Sequence, residues 1–356
     1  MTIRMYGKRL GQISDEQLQM ALTRFNLGTL LHAEPVPFGL FGQNIFLTST
    51  QGAYVLRGSP HYHWQFPTEQ FFARLLHERT QVPVPWPYQI DDAEDIFGWC
   101  YVLMPRMQGL QLESPEIENQ LSMEDKRAIA HVLGENLVQM QELKWSFAGE
   151  YHAETNTVQP FECTSALISP SQIEAMHIQP GPLTHREYAL ALIRSFLERS
   201  RTHNQRTTDT DCVWVEMLIA QAEDALNDDF QPCFVMQDYK LGNLVVMQTE
   251  GRWHVSGLFD LMTGSFGDGE TDLSRATAIY IEKDASLSLA REFIQAYIRQ
   301  RPPRPGFAER FAVYMLLDRL IIWEFAQRNN TDWWDQRLSL QEWAGRYTSL
   351  QAILKE

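Results

Sequence analysis

One stretch, residues 236–260, constrains the fold of this chain more than any other part of the sequence. It contains Asp238 and, five residues later, Asn243, which begins an apolar run. A second apolar run ends at Asp260, and Glu250-Gly251 separates the two runs. Apolar runs around a Glu-Gly turn predict a strand-turn-strand unit. The stretch therefore combines a β-hairpin with a carboxylate, an amide and a second carboxylate.

These three groups are the ones that phosphoryl transfer requires. The reaction needs a carboxylate beside the attacking hydroxyl and hard oxygen ligands for Mg²⁺. Asp238 is the candidate catalytic base, and Asn243 and Asp260 are the candidate metal ligands. Lys240 is a candidate for contact with the γ-phosphate, the alternative being a solvated surface lysine. Individually, Asp238 could instead cap a turn and Asp260 could end a strand.

Composition is that of a globular protein. The 356 residues can build a large core and suggest two or three structural units. A hydrophobic content of 44% and a charged content of 21% are ordinary for such proteins. No apolar run approaches the ~20 residues of a membrane span, and the N-terminus is too polar for a signal peptide. Four widely separated cysteines favour reduced thiols and a cytoplasmic location.

The formal net charge of −15 argues against nucleic acid or an anionic membrane as the main partner. It is compatible with a cationic small substrate, because clustered carboxylates would concentrate one. The alternative is that the acidic charge only keeps the protein soluble. The sequence leaves the oligomeric state open.

The pattern of elements changes near residue 107. Before it, Ser14 and Gln17 form a capping box for a helix over 15–27, and a glycine loop with Gly39 and Gly42 precedes a hairpin that ends at Arg57. A helix from Pro67 and a strand over 98–104 follow. After residue 108, apolar periodicity predicts mainly helices. They are expected near 124–143, 186–199, 212–226, 271–281, 285–300, 307–328 and 338–354.

Together with Gly267-Asp268-Gly269-Glu270-Thr271-Asp272-Leu273 after Asp260, the order of these motifs resembles the aminoglycoside phosphotransferase and choline-kinase branch of the protein-kinase-like fold. The resemblance covers about residues 35 to 280. It implies an α+β, bilobal fold. The small N-terminal antiparallel-sheet lobe would be residues 1–107, which bind nucleotide. The larger, mainly helical C-terminal lobe would be residues 108–356, which hold the catalytic loop and the substrate site.

The resemblance also implies the reaction and its cofactors. The family uses ATP, with GTP as the alternative here, and Mg²⁺ to phosphorylate a hydroxyl of a small molecule. An aminoglycoside-like or other amine-bearing acceptor would agree with the acidic charge.

The nucleotide site follows from the same resemblance. Arg57 stands where the fold usually has a lysine for the α- and β-phosphates, with Glu69 as its candidate partner or merely an acidic residue of a helix first turn. Gly39 and Gly42 would cover the phosphates. Backbone groups of Met104, Arg106 and Met107 lie where the family's hinge meets adenine.

The sequence departs from the family at Met236, where a histidine usually precedes the catalytic aspartate by two residues. That histidine supports the loop. An alternative function is therefore a catalytically impaired, nucleotide-binding regulatory or interaction protein of the same fold. Asp272 would cap the next helix or brace the catalytic loop.

Two features have open interpretations. Trp333-Trp334 could form an aromatic wall for a cation or could pack onto the helical lobe. Asp318, on an apolar helix, could pair with a buried arginine or could line the cleft.

Overall fold

The computed structural model describes residues 3–36, 43–162, 181–203, 206–227, 229–329, 331 and 333–355. The chain divides into two compact units, each of which combines segments distant in sequence. The first unit comprises Met1–Ser114, His152–Thr157 and Gly242–Gly264. The second comprises Pro115–Tyr151, Val158–Leu241 and Ser265–Glu356.

The first unit is built around an antiparallel sheet. Its five strands are β3 (Leu30–Pro35), β4 (Asn44–Ser49), β5 (Gly52–Gly58), β6 (Gln89–Asp91) and β7 (Tyr101–Pro105). They run in the order β3-β4-β5-β7-β6. The short strands β1 (Ile3–Met5) and β2 (Gln12–Ser14) pair separately, and the helices are α1 (Asp15–Arg24) and α2 (Gln65–Arg79). The predicted hairpin of β4 and β5 is confirmed, whereas β3 was not predicted.

Helix α1 packs one face on this sheet. Ser14 caps the helix reciprocally with Gln17, as the sequence predicts, although the helix ends at Arg24 instead of residue 27. Its buried residues join the inward side chains of the strands in one apolar core. That core includes Leu18, Ala21, Leu22, Ile45, Leu47, Leu56 and Leu103. Alternating burial along β4 supplies the inward face, because successive strand residues point to opposite sides.

The first unit also contains the hairpin of β11 (Leu244–Thr249) and β12 (Arg252–Leu258). Glu250 and Gly251 connect the strands with φ values of +51° and +77°. Two consecutive positive φ values are those of the two-residue turns that match the twist of a β-hairpin. The strand-turn-strand prediction is therefore confirmed.

The second unit is mainly helical. Its helices are α3 (Pro115–Gln120), α4 (Met123–Met140), α5 (His185–His203), α6 (Asp209–Gln221), α7 (Glu223–Leu226), α8 (Leu273–Lys283), α9 (Ser288–Gln300), α10 (Phe307–Asn329), α11 (Leu340–Ala344) and α12 (Leu350–Leu354). A small sheet runs in the order β10-β13-β8-β9, with β8 (Gly149–His152), β9 (Thr157–Pro160), β10 (Cys233–Val235) and β13 (Ser265–Gly267). No described helix is long and apolar enough to cross a membrane.

The single helix predicted over 338–354 is wrong. The structure has α11, a 3₁₀ turn at Gly345–Tyr347 and then α12. Ser339 caps α11 reciprocally with Glu342, and the Ser349 hydroxyl accepts the N–H of Ala352 to start α12. A serine side chain that satisfies the first N–H groups of a new helix favours a restart over an uninterrupted helix.

Candidate active site

The β11–β12 hairpin brings two of the predicted site residues together. Leu244 pairs with Leu258, so Asn243, just before β11, and Asp260, two residues after β12, lie at the same end of the hairpin. The Phe259 N–H donates to the Asn243 carbonyl at 3.0 Å and extends the pairing by one step. Asp260 has a φ of +67°, a left-handed conformation that costs a non-glycine residue energy and is concentrated at functional sites. The hairpin register thus places an amide residue and a carboxylate residue at the same end of the hairpin.

Arg57 connects this pair to α2. Its Nη1 lies 2.9 Å from Glu69 Oε1, and its Nη2 lies 3.1 Å from Asp260 Oδ1. The Tyr88 hydroxyl donates to Glu69 Oε2 at 2.5 Å. Glu69 is 2% exposed and lies beyond the first turn of a helix that begins at Gln65, so the first-turn explanation does not apply. Glu69 and Asp260 therefore hold one guanidinium from two sides.

Burial sets the charge state of this cluster. Burial raises the pKa of Glu69 to about 7, against the lowering effect of the Arg57 charge. Burial lowers the pKa of Arg57, but the carboxylates of Glu69 and Asp260 outweigh it and raise the pKa above its ordinary value. Arg57 therefore stays charged at neutral pH.

The donor chemistry at the hairpin end fits Mg²⁺. Asn243 and Asp260 supply hard oxygen atoms, and Mg²⁺ is usually bound by one or two carboxylates plus water and substrate phosphates. Among the described residues, no three His, Cys, Asp or Glu side chains are grouped closely enough to form an all-protein metal site. The hairpin end is thus suited to a metal that shares its coordination with a phosphorylated substrate.

The predicted hinge lies against the same hairpin. Met104 pairs with Val55 in the sheet, and the Arg106 N–H donates to the Ala53 carbonyl at 2.9 Å. That N–H is used within the sheet, so any adenine contact of Arg106 would involve its carbonyl. A Cβ on Gly257 would lie 2.5 Å from Met107 Cβ, so the segment needs glycine there. Gly39 and Gly42, the predicted phosphate cover, lie outside the described residues.

Asp238 lies in the second unit, three residues after β10. Its Oδ2 is 2.8 Å from Lys240 Nζ, and each side chain is 26% exposed. Its Oδ1 is 3.7 Å from Arg275 Nε. The carboxylate thus lies between two cations and remains partly open to solvent.

The loop before Asp238 is braced by Asp272. The Met236 and Gln237 N–H groups donate to Asp272 Oδ2 and Oδ1 at 2.6 and 2.7 Å. The Gln237 amide donates to Ser265 Oγ at 3.1 Å. Tyr239 is fully buried, and its hydroxyl donates to the Leu133 carbonyl at 2.9 Å. These contacts support the role of Asp272 as a brace of the loop and not as a helix cap. They involve backbone groups of the loop, so they form with methionine at position 236.

This brace predicts a pH dependence of stability. Burial raises the pKa of Asp272 from 3.8 to about 7, against the hydrogen bonds from Met236 and Gln237. The folded protein therefore binds more protons than the unfolded chain between about pH 4 and 7, and the free energy of unfolding falls as pH rises through that window. Three pKa units correspond to about 4 kcal/mol.

The measurement is urea unfolding of the wild type and Asp272→Asn at pH 5 and pH 8. Asparagine stays neutral, so the stability of the wild type relative to this variant should fall from pH 5 to pH 8. A relative stability that is equal at both values would contradict the assigned pKa shift.

Arg275 is a site residue that sequence reasoning missed. Its Nε lies 2.6 Å from Asp318 Oδ1, and Arg319 Nη2 lies 2.5 Å from Asp318 Oδ2. Burial raises the pKa of Asp318, but Arg275 and Arg319 outweigh it and keep the pKa below its ordinary value. Asp318 therefore pairs with the buried Arg319 and the half-buried Arg275, which confirms the first of the two alternatives left open by the sequence. The position of Arg275, three residues after Asp272 on a helix, was the available signal.

The tryptophan pair has two different environments. The Trp334 ring stacks against Trp343 and Trp323, with centroid distances of 4.3 and 5.3 Å. Trp333 is 51% exposed and stacks on Phe325. Trp334 therefore packs onto the helices of its own unit.

Comparison with known proteins places this geometry in a family. The profile of the family described as "Phosphotransferase enzyme family" matches residues 32–309. The chain belongs to this family. The match spans the Arg57 strand, the Asp238 loop, the β11–β12 hairpin and Asp272.

Individual relatives are more distant. The chain is 27% identical to a homoserine kinase of Burkholderia vietnamiensis over 137 residues, which are 36% of this chain and 40% of the relative. The chain thus spans about two fifths of the length of this curated relative. Solved structures of aminoglycoside phosphotransferases match nearly the whole chain. A thermostable mutant of aminoglycoside phosphotransferase APH(4)-Ia, in a ternary complex with ADP and hygromycin B, has a TM-score of 0.57 and 15% identity over 94% of this chain and 97% of that one.

The second structure is the GDP complex of wild-type aminoglycoside 2'-phosphotransferase-IIIa. It has a TM-score of 0.52 and 14% identity over 96% of this chain and 97% of that one. These similarities confirm the predicted α+β, kinase-like fold, with antiparallel sheet in the N-terminal part and a larger, mainly helical remainder.

Proposed function

We propose that this protein is an ATP- and Mg²⁺-dependent phosphotransferase that acts on a hydroxyl of a small molecule. The observation that carries the proposal is the hairpin register, which brings Asn243 and Asp260 to one end and Asp260 into contact with Arg57. A metal-binding amide–carboxylate pair beside a permanent cation suits a metal–nucleotide complex. Membership of the phosphotransferase family supports the same reaction.

Each residue has a proposed role. Asp238 orients the acceptor hydroxyl and takes its proton while the new O–P bond forms and the bond between the γ-phosphorus and the ADP oxygen breaks. Lys240 neutralises charge near the transferred group. Arg57, held by Glu69 and Tyr88, binds phosphate oxygens, and Asn243 and Asp260 hold Mg²⁺. When bound, Mg²⁺ would neutralise the charge that develops on the phosphates.

The alternative is a nucleotide-binding protein without turnover, which Met236 favours. The hydrogen bonds from Met236 and Gln237 to Asp272 favour the enzyme, because they position the loop through its backbone. A backbone brace works regardless of the side chain at position 236. The cytoplasm, which holds ATP and Mg²⁺, is the proposed location.

The test is thermal unfolding with Mg²⁺–ATP and Mg²⁺–GTP, since the structural relatives hold ADP or GDP. At 100 times its Kd a nucleotide should stabilise the protein by about 2.7 kcal/mol. Release of ADP or GDP is then measured with a panel of acceptors. The acidic sequence favours amine-bearing compounds, so the panel includes amino sugars, choline and homoserine beside neutral alcohols.

The outcomes separate the two functions. Stabilisation and turnover would support the phosphotransferase. Stabilisation without turnover of any acceptor would support the impaired nucleotide-binding alternative. If neither nucleotide stabilises the protein with or without Mg²⁺, both are wrong.

A further inference from the structure

A series of alternating charges leads from Asp238 into the core of the second unit. Arg275 Nε lies 3.7 Å from Asp238 Oδ1 and 2.6 Å from Asp318 Oδ1. The other oxygen of Asp318 lies 2.5 Å from Arg319 Nη2. Arg275 is therefore within ion-pair distance of both carboxylates but is held much closer to Asp318 than to the proposed base.

The inner end of this series is fixed by several contacts. Arg319 also donates from Nε to Asp318 Oδ2 at 2.9 Å. Its guanidinium lies 4.9 Å from the centre of the Tyr347 ring, and its Nη1 lies 3.2 Å from Glu282 Oε1. The side chains of Asp318 and Arg319 are 7% and 3% exposed. A buried carboxylate with two arginine partners has little freedom to move, so Asp318 is a fixed tether for Arg275.

The two cations beside Asp238 differ in their freedom. Lys240 Nζ lies 2.8 Å from Asp238 Oδ2, and the lysine side chain is flexible and 26% exposed. Its proposed role at the transferred group requires Lys240 to leave that oxygen. The Arg275 side chain is 13% exposed and is tied to Asp318, so it stays beside Oδ1 when Lys240 moves.

The distance of 3.7 Å between Arg275 Nε and Asp238 Oδ1 is too long for a hydrogen bond. The attraction between the charges therefore turns Oδ1 toward Arg275 without closing a direct contact on the base. Oδ2, the oxygen that Lys240 leaves, is then the one that faces away from the fixed cation. This geometry suits a base that must keep one orientation and still accept a proton.

We propose that Arg275 is a positioning residue for the reaction, and that Asp318 acts through it. Arg275 fixes the orientation of the Asp238 carboxylate, and Asp318 keeps Arg275 from closing on the base. The proton of the acceptor hydroxyl then moves to Asp238 Oδ2 while the new O–P bond forms. The inference rests on the proposed function and adds two residues that touch neither the acceptor nor the nucleotide.

Arg275→Gln tests the orienting charge. Glutamine keeps a donor for Asp318 but removes the cation beside Asp238. The kcat should fall about 10- to 100-fold, the loss expected when a reacting group is misplaced. The KM values of ATP and of the acceptor should stay those of the wild type, because Arg275 binds neither. The acceptor is the panel compound that the wild type turns over fastest, and ADP release is measured.

Arg275→Lys separates positioning from folding. Lysine keeps the positive charge, so this variant should recover part of the kcat that Arg275→Gln loses. A role in folding alone would lower the amount of folded enzyme and leave kcat per folded molecule unchanged. The folded fraction of each variant is therefore measured by thermal unfolding, and kcat is expressed per folded molecule.

Asp318→Asn tests the tether. Without the Asp318 charge, Arg275 should close on Asp238 and occupy the base, so kcat should fall while both KM values stay unchanged. The double variant Arg275→Gln/Asp318→Asn should have the kcat of Arg275→Gln alone, because no arginine is left to hold. A loss equal to the product of the two single losses would mean that the residues act independently, and the tether would be wrong.

Glu282→Gln is the matched control. Glu282 pairs with Arg319 at the inner end of the same series, is 44% exposed and accepts the Tyr347 hydroxyl at 2.8 Å. The variant removes a charge from the series without removing a contact of Arg275 or Asp238, so its kcat should equal that of the wild type. If Arg275→Gln keeps the kcat of this control, the inference is wrong.

The failure of the inference is distinct from the failure of the proposed function. The melting shift caused by Mg²⁺–ATP is recorded for the wild type and for every variant, and it should be the same in all of them. A wild type without turnover refutes the phosphotransferase and the inference together. A wild type with turnover beside unaffected Arg275 variants refutes only the inference.

Discussion

Replacing Asp238 with alanine should lower turnover about 10²- to 10⁴-fold, the range expected when a general base is lost. The Asp238 carboxylate is partly exposed between Lys240 and Arg275, so its position suits a proton acceptor at the protein surface. Nucleotide binding should persist, because the proposed nucleotide ligands are other residues. The measurements are ADP release with the best acceptor and the melting shift caused by Mg²⁺–ATP.

Asp209→Ala is the control for this prediction. Asp209 is also an aspartate ion-paired to an arginine, Arg201, but its side chain is 93% exposed. Turnover of this variant should match that of the wild type. If Asp238→Ala keeps its turnover within a few-fold of the control, the assignment of the base is wrong.

Replacing Arg57 with methionine should have two effects. It should destabilise the protein by about 1–3 kcal/mol, because the buried Glu69 loses a hydrogen-bond partner and takes up a proton in its place. It should also abolish the Mg²⁺–ATP stabilisation, because the proposed phosphate-binding group is removed and Asp260 loses its positioning contact. Urea unfolding with and without Mg²⁺–ATP measures both effects.

Arg24→Met separates the two effects. Arg24 forms ion pairs with Asp91 and Asp95 in the same unit, but its side chain is 32% exposed. The Arg24–Asp95 pair is exposed, and Asp91 also accepts the Ala93 N–H, so this variant should lose less stability than Arg57→Met and keep the full nucleotide shift. An Arg57→Met protein that still gains the full Mg²⁺–ATP stabilisation would contradict the phosphate-binding role.

The predictions that the structure confirms depend on neighbours along the chain. The Glu250-Gly251 hairpin and the capping box of Ser14 and Gln17 are set by turn chemistry and side-chain spacing, which a sequence displays directly. The prediction of one helix over 338–354 was wrong because of another local feature, which is also visible in the sequence. Ser339 and Ser349 each cap a separate short helix, a signal that apolar periodicity overlooks.

The ion pair between Arg275 and Asp318 could not be predicted in this way. The two residues lie on helices that are far apart in sequence, and their contact depends on how those helices pack. Helical periodicity indicates that a face is buried but does not identify the charge that faces it. The sequence therefore left Asp318 with two roles, and the net charge of −15 pointed to a cationic acceptor.

By itself, the sequence indicated the residue types of the candidate site. Asn243 and Asp260 flank a hairpin in the sequence, and backbone hydrogen bonding brings them to the same end of it. The tertiary structure decided what surrounds these residues. It paired Arg57 with Glu69 and Asp260, braced the loop through Asp272 and compensated the charge of Asp318. Those contacts join residues from separate elements. A buried charge is stable only beside a partner, and the position of that partner depends on how the elements pack.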